Sequence, residues 1–329
     1  MLISYHYFKQ PIEPMMSKWF HGEWPEIFAD SGAYSAKSQG AEIDLDVYAE
    51  WLKANKHLFF VYANLDVNGD GAQAAEATWQ NQRQLEDHGL APLPVFHAGE
   101  PFDALDRLLS EGYGYIGLGG LVGRKAKQVM PWLVKCFQMA EGQAVFHGFG
   151  LTQWEIIRAL PFYSIDSTSW GSSFIYGQLR LFDPTRGSFV RAHISDHGSI
   201  YDPEVTRLIR FYGFDPQDFS VKERYSRRLT CQLSARSWVH AERYVRQRHG
   251  EIMPPTDRRM PEGPLWDPVE THEGLRWYCA NTAHANLRAA AAGLHLYLAE
   301  NDTTNLTSVA LAPDGDHEPL NITSPGRTE

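Results

Sequence analysis

The strongest constraint on this chain is a rhythm in its first half, where short apolar runs that close on small or reactive residues alternate with runs of helical pattern. Seven strands are readable: Leu2 to Phe8, Ile27 to Ser31, Leu58 to Asp66, Leu93 to His97, Tyr115 to Leu121, Ala144 to Phe149 and Phe162 to Ser167. Between them, Asp44 to Asn55 places Leu45, Val47, Tyr48, Trp51 and Leu52 on one helical face. Ala72 to His88, Asp103 to Ser110, Lys125 to Ala140 and Gln153 to Leu160 are further helices. Alternation of this kind builds βα units and a parallel sheet.

The strand ends choose between the two common parallel architectures. They read Asp30-Ser31-Gly32, Asn64-Leu65-Asp66, His97-Ala98-Gly99, Gly119-Gly120-Leu121, His147-Gly148 and Asp166-Ser167. A doubly wound open sheet gathers its polar residues at one switch point, whereas a (β/α)-barrel collects them from every strand at its carboxyl-end face. The expected fold is therefore α/β, a (β/α)8-type TIM barrel that is incomplete or altered at one strand, with a mainly helical C-terminal extension. The expected division is 1–200 for the barrel, 201–300 for a basic helical extension and 301–329 for a flexible tail. Gln178 to His193 reads as a hairpin and is a candidate for the missing eighth strand. Pro203 to Tyr212, Tyr225 to His249 and Ala283 to Glu300 read as helices, with Met253 to Pro268 a Pro-rich linker or ordered loop.

At 329 residues and 43% hydrophobic content the chain can bury one sizeable core. It carries neither a signal-peptide pattern nor an apolar run of 18 residues, so the expected location is the cytoplasm, with no membrane partner. Cys136, Cys231 and Cys279 are odd in number and far apart, which argues against a disulfide framework and a zinc ribbon. No metal and no cofactor are expected. The net charge of −10 opposes a polyanionic partner until its distribution is read. From Arg180 to Arg259 there are 15 Lys/Arg against 10 Asp/Glu, and elsewhere 15 against 30. One region is basic and the rest acidic, and Arg224, Arg227 and Arg228 are the candidate phosphate contacts, set on a hairpin and helix expected to line the barrel's carboxyl-end face.

Two strand-end carboxylates, Asp166 after Tyr163-Ser164-Ile165 and Asp30 after Phe28-Ala29, supply what retaining glycosyl transfer requires, a nucleophile and an acid/base. At this point the sequence resembles a family. Asp30-Ser31-Gly32-Ala33-Tyr34 is similar to the Asp-Ser-Gly-Gly-Phe/Tyr motif of the tRNA-guanine transglycosylases. Asn64-Leu65-Asp66, Val95-Phe96-His97-Ala98-Gly99, Gly119-Gly120-Leu121-Val122-Gly123 and His147-Gly148-Phe149-Gly150 follow in that family's order over residues 1 to 170. The resemblance implies Asp166 as the nucleophile on C1′ and Asp30 as the general acid/base. It implies Tyr34 as the ring on which the base stacks and Asp66 as the carboxylate that reads guanine's donor edge. Ser31, His97, Gly119, Gly120, Leu121 and His147 would complete the base site, the two histidines as contacts and not catalysts.

The departures from the family carry information too. His97 and His147 replace the usual Gln and Met, the cysteine-rich zinc site has no counterpart, and Ser167-Thr168-Ser169-Trp170-Gly171 does not match the tRNA enzymes' run after the nucleophile. Tyr5-His6-Tyr7 resembles those enzymes' second strand, so their first is missing here. These absences fit the DpdA-like branch found in phages and bacterial modification islands. The expected activity is exchange of guanine in DNA for a 7-deazaguanine base through a covalent aspartyl-sugar intermediate. The alternatives are a tRNA enzyme of altered architecture, a non-catalytic binding subunit and a barrel hydrolase.

Overall fold

The computed structural model describes residues 1–20, 25–67, 69, 71–171, 173, 176–194, 197–220, 227–250, 252–261 and 276–281; for residues 18–20, 197, 220, 227, 228 and 276–281 only the backbone is described. By compactness the chain forms two units, one of Met1–Thr168 with Val245–Thr282, the other, among the described residues, of Ser169–Tyr244. The expected boundary near residue 200 thus falls within the second unit.

In the first unit the strands are β1 (Leu2–Ser4), β2 (Phe28–Asp30), β3 (Val61–Tyr62), β4 (Val95–His97), β5 (Tyr115–Gly119), β6 (Val145–Gly148), β7 (Ser164–Ser167) and Arg276–Asn281. All pair in parallel, in the order β3-β2-β1-(Arg276–Asn281)-β7-β6-β5-β4. The two ends of this order are joined by the bonds Leu93 N–H to Tyr62 O (2.8 Å) and Asn64 N–H to Leu93 O (2.9 Å). Flat, β2 and β6 would lie four strand spacings, about 19 Å, apart. Yet the rings of Phe28 on β2 and His147 on β6 are 4.4 Å apart, so the sheet is rolled.

The eighth strand is Arg276–Asn281, inserted between β1 and β7 with Leu2 opposite Ala280 and Asp166 opposite Tyr278. The hairpin Gln178–His193 does not supply it, because it folds as a separate antiparallel pair. The chain reaches the eighth strand through 252–261, which is ordered. Arg258 donates to Leu109 O and Gln143 Oε1, both at 2.9 Å, while Arg259 N–H donates to Gly112 O and its guanidinium pairs with Glu86. Tyr5 to Tyr7 is not strand but a turn, with the amides of Tyr7 and Phe8 bonded to Ser4 O.

The helices α1 (Ile12–Phe20), α2 (Ala33–Ser38), α3 (Leu45–Asn55), α4 (Ala72–Asp87), α5 (Phe102–Ser110), α6 (Ala126–Met139) and α7 (Trp154–Ala159) fall between the strands. Their starts are legible in local chemistry. Asp44 caps α3 by accepting from Val47 N–H (3.0 Å), and Gln128 reaches back to Lys125 N–H (2.9 Å) at α6. A buried cluster of Leu2, Phe28, Phe60, Val61, Leu93, Tyr115, Val145 and Tyr163 draws on most strands at once, with Ile252 and Met260 packed against it.

The second unit is the hairpin β8 (Gln178–Asp183) and β9 (Ser188–His193), packed with the helix Pro203–Phe211 and with the long helix Arg227–His249 as far as Tyr244. One face of the hairpin, Leu179, Leu181 and Ala192, joins Val205, Leu208, Ile209 and Leu233 in a buried core. The other carries Phe182 and Phe189, whose rings lie 5.4 Å from Tyr244 and 4.7 Å from Trp238. Among the described residues no helix is long and apolar enough to cross a membrane. The expected helix Ala283 to Glu300 and the tail lie outside the described residues.

Candidate active site

Asp30, Asp66, His97, Gly119, His147 and Asp166 lie at or just after the ends of six strands of the first unit, β2 to β7, and the fold brings Asp66 and Asp166 within electrostatic reach of Asp30. Asp30 closes β2, partly buried, with Oδ2 accepting from Gly32 N–H (3.0 Å). Burial pushes its carboxyl up, the charges of Asp66 and Asp166 add to this, and the result is a pKa of about 8. Asp30 therefore carries its proton at neutral pH. Gly32 must be glycine here, because its φ is +75° and a Cβ would sit 2.2 Å from Ser4 Oγ.

Asp166, in β7, is buried, and its Oδ1 is held from two sides. Gly150 N–H donates at 2.7 Å and His147 Nε2 lies at 3.3 Å. Beyond it, His147 Nδ1 meets Ser164 Oγ at 2.6 Å, and Ser164 Oγ meets the Tyr115 hydroxyl at 2.5 Å. A carboxylate can only accept, so Nε2 bears the hydrogen and Nδ1 accepts from Ser164, whose oxygen accepts from Tyr115. This tautomer is the neutral ring, which agrees with a histidine whose pKa is lowered by burial against the raising effect of Asp166. Asp166 Oδ2 takes part in none of these bonds.

Asp66 is held differently. Its Oδ1 accepts from Ser31 Oγ (3.3 Å), and its Oδ2 lies 2.9 Å from His97 Nε2. His97 Nδ1 is 3.4 Å from Glu100 Oε1, and the His97 amide donates to Glu100 Oε2 at 2.9 Å. Burial works against a charge on His97, but the two carboxylates outweigh it and push the pKa up to about 10. The imidazolium is thus shared between two acids, Asp66 and Glu100. The ring comes close to Gly119, where an added Cβ would lie 2.4 Å from Cδ2 and 2.6 Å from Nε2. That close approach explains a glycine on an otherwise apolar strand.

The expected residues divide into three groups. Asp30, Ser31, Asp66, His97, His147 and Asp166 form one connected set of hydrogen bonds and charges. Tyr34, 62% exposed, has a ring face available to a stacking partner, and Gly120 is an exposed backbone position with φ of +72°. Three expectations change. The side chain of Leu121 is fully buried, so it presents no apolar surface to a ligand. His147 is fully buried behind Asp166, and His97 has both ring nitrogens engaged by carboxylates; each orients an acid and neither offers a free edge.

Glu100 was not foreseen from the sequence. Its side chain is almost fully buried and it is the second partner of His97. The signal was present, since a glutamate three residues after a strand-end histidine, across Ala98-Gly99, has no apolar reason to turn inward. Of the expected phosphate contacts, Arg224 lies outside the described residues, and Arg227 and Arg228 open the long helix with side chains that are not described. Cys136 and Cys231 are buried and form no disulfide. Neither the models of known protein families nor the curated proteins give a match to this chain.

Proposed function

We propose that the protein is a base-exchanging transglycosylase acting on guanine in DNA, built on a closed (β/α)8-type barrel. The joined ends of the sheet order and the contact between β2 and β6 support the barrel. One observation carries the chemistry: a buried Asp166 whose Oδ1 is held by Gly150 N–H and His147 Nε2, leaving Oδ2 out of these bonds, beside an Asp30 that holds its proton at neutral pH. An oriented carboxyl group next to one that carries a proton is what nucleophile and general acid need.

In this reading Asp166 Oδ2 attacks C1′ of an extruded nucleotide, the C1′–N9 bond breaks with its electron pair going to the base, and Asp30 supplies the proton the departing base takes up. The bond formed is an aspartyl ester to the sugar. A 7-deazaguanine base then enters, Asp30 takes the proton from its N9, N9 attacks C1′, and the ester bond breaks to regenerate Asp166. Gly150 and His147 hold Asp166 Oδ1 so that Oδ2 points the attack, and Asp66, oriented by Ser31 and His97, accepts from the N1–H and N2–H₂ donors on one edge of the base. Tyr34 supplies a ring for the base to stack on. No step needs a metal or a cofactor.

The test is transfer of radiolabelled guanine into duplex DNA and into tRNA, side by side. Incorporation into DNA and a mass increment on Asp166 when the incoming base is withheld are the expected results. Incorporation into tRNA alone assigns the other polymer, release of free base without incorporation makes the enzyme a hydrolase, and no reaction with either polymer overturns the reading.

A further inference from the structure

The hairpin of the second unit sets two arginines directly opposite each other. Arg180 on β8 and Arg191 on β9 are register partners, so their side chains leave the same face directly opposite each other. Cβ atoms so placed are about 5 Å apart, and like charges there repel. The other arginines nearby are engaged. Arg186 and Arg207 pair with the buried Asp183, Arg186 also with Glu204, and Arg236 donates to Tyr212 O. Among the described residues no carboxylate pairs with Arg180 or Arg191.

Arg180 is also fixed in place. Its guanidinium lies 5.2 Å from the Phe189 ring and 5.4 Å from the Trp238 ring, between the hairpin and the long helix. Its Nε is buried without a hydrogen-bond partner, while Arg191 stands exposed beside it. Burial, with the charge of Arg191 second, works against the charge of Arg180. An arginine cannot shed its proton to relieve this, so the relief has to come from an anion.

We propose that Arg180 and Arg191 form a phosphate-binding site on the second unit, and that the phosphate it takes is a backbone phosphate of a nucleic acid. Two guanidinium forks on the same face of adjacent strands match phosphate oxygens, and stacking has already removed much of Arg180's freedom. Free phosphate is typically held in enclosed nests of backbone N–H groups. Here the exposed Arg191 stands beside the half-buried Arg180 in the chain's one basic region, an arrangement suited to a polymer's backbone. The anion site stands without the transglycosylase reading; only the identity of the polymer as DNA rests on it.

The experiment uses the full chain and the variants Arg191→Gln and Arg180→Gln, with inorganic phosphate and a duplex oligonucleotide as probes. Arg191 is exposed, so its variant keeps the fold and serves if Arg180→Gln does not. Phosphate should raise the melting temperature of the wild type and leave that of Arg191→Gln unmoved. In anisotropy titrations the slope of log K against log salt should become shallower by about 0.9 in Arg191→Gln, which is one phosphate contact. Over a fourfold rise in salt this is a ~3.5-fold difference in affinity lost. An unchanged slope together with unchanged phosphate protection overturns the site. Lost phosphate protection with an unchanged oligonucleotide slope overturns the nucleic acid as its source. Base exchange measured on the same preparations separates the two readings: arginine-dependent DNA binding without exchange sinks the transglycosylase and leaves this site, and exchange with an unchanged slope does the reverse.

Discussion

Like charges are crowded together in two places in this molecule, and the two resolve the repulsion in different ways. In the first unit Asp30, Asp66 and Asp166 share one neighbourhood and settle their repulsion internally: Asp30 takes up a proton, Asp66 shares the His97 imidazolium, and Asp166 draws on Gly150 and a neutral His147. In the second unit Arg180 and Arg191 face each other with no such device. The difference is chemical. A carboxylate can take up a proton within the working range of pH, as Asp30 does here, and its surroundings can decide whether it does. A guanidinium has one state only. A crowd of acids can therefore be machinery complete in itself, while a pair of arginines is half of a contact.

The comparison breaks most sharply at Asp166. Replacing it by Asn keeps the size and the acceptor for Gly150 but removes the nucleophile, and loss of a nucleophile costs roughly 10⁴ to 10⁶ in turnover. Exchange and the covalent adduct should both vanish in Asp166→Asn, with binding of the oligonucleotide retained. Turnover within tenfold of the wild type would show that the three acids are not a catalytic set. Asp30→Asn should cost less, about 10² to 10⁴ in rate, because it removes proton transfer and leaves attack possible.

Asp30 also links the crowding to stability, and the sign can be worked out. Its carboxyl is raised in the folded state to about 8, so between pH ~4 and 8 the folded chain binds a proton that the unfolded chain has released. Stability must then fall as pH rises through this window, and above pH 8 the wild type carries a charge that its neighbours oppose. Asp30→Asn removes that charge. Its melting temperature should exceed that of the wild type at pH 9 and differ little at pH 4, by calorimetry. A single offset at both pH values would mean that Asp30 is not held protonated by the fold.

Much of the first unit was legible in the sequence because its signals are local. Alternating periodicity gave seven strands near their observed places, and strand-end residues gave Asp30, Asp66 and Asp166 on one set of ends. What could not be read was anything set by a distant partner. Arg276–Asn281 follows a long excursion of the chain, and nothing in its own pattern says that it enters between β1 and β7. The hairpin 178–193 is a better strand signal locally, and so the wrong candidate was chosen for the eighth position. The two histidines were assigned to a ligand because strand-end position indicates proximity to a site, while the direction of a ring depends on the side chains around it. The arginine pair needed a register, which the turn Asp183 to Gly187 fixes: Gly187, at φ of +61°, lies where a Cβ would strike the Tyr244 hydroxyl.

The smallest effect is expected at Glu100, and it tests whether the internal solution is as specific as the geometry suggests. Glu100 touches Asp66 only through His97, so it is a positioning residue. Glu100→Gln keeps the shape and leaves an acceptor for the His97 amide, and a cavity of about 230 Å³ between α4 and α5 that Glu100 also lines gives the amide room to settle. What changes is charge: His97 loses one of two carboxylates, and its pKa should fall from about 10 toward the ordinary histidine value. With a less firmly charged neighbour, Asp66 is a weaker acceptor for the donor edge of guanine. The binding of guanine should weaken about three- to tenfold, roughly the worth of one charge-assisted hydrogen bond partly lost, while the rate at saturating base stays near the wild type. Nitrogen NMR of the His97 ring reads the cause directly, and it does so whether or not the protein exchanges bases. If the ring in Glu100→Gln stays protonated to pH 10, Asp66 alone holds the charge and Glu100 only fills space. If the ring titrates near neutrality and guanine binding follows it with pH, then the acid hidden behind the histidine sets how strongly the acid in front of it accepts.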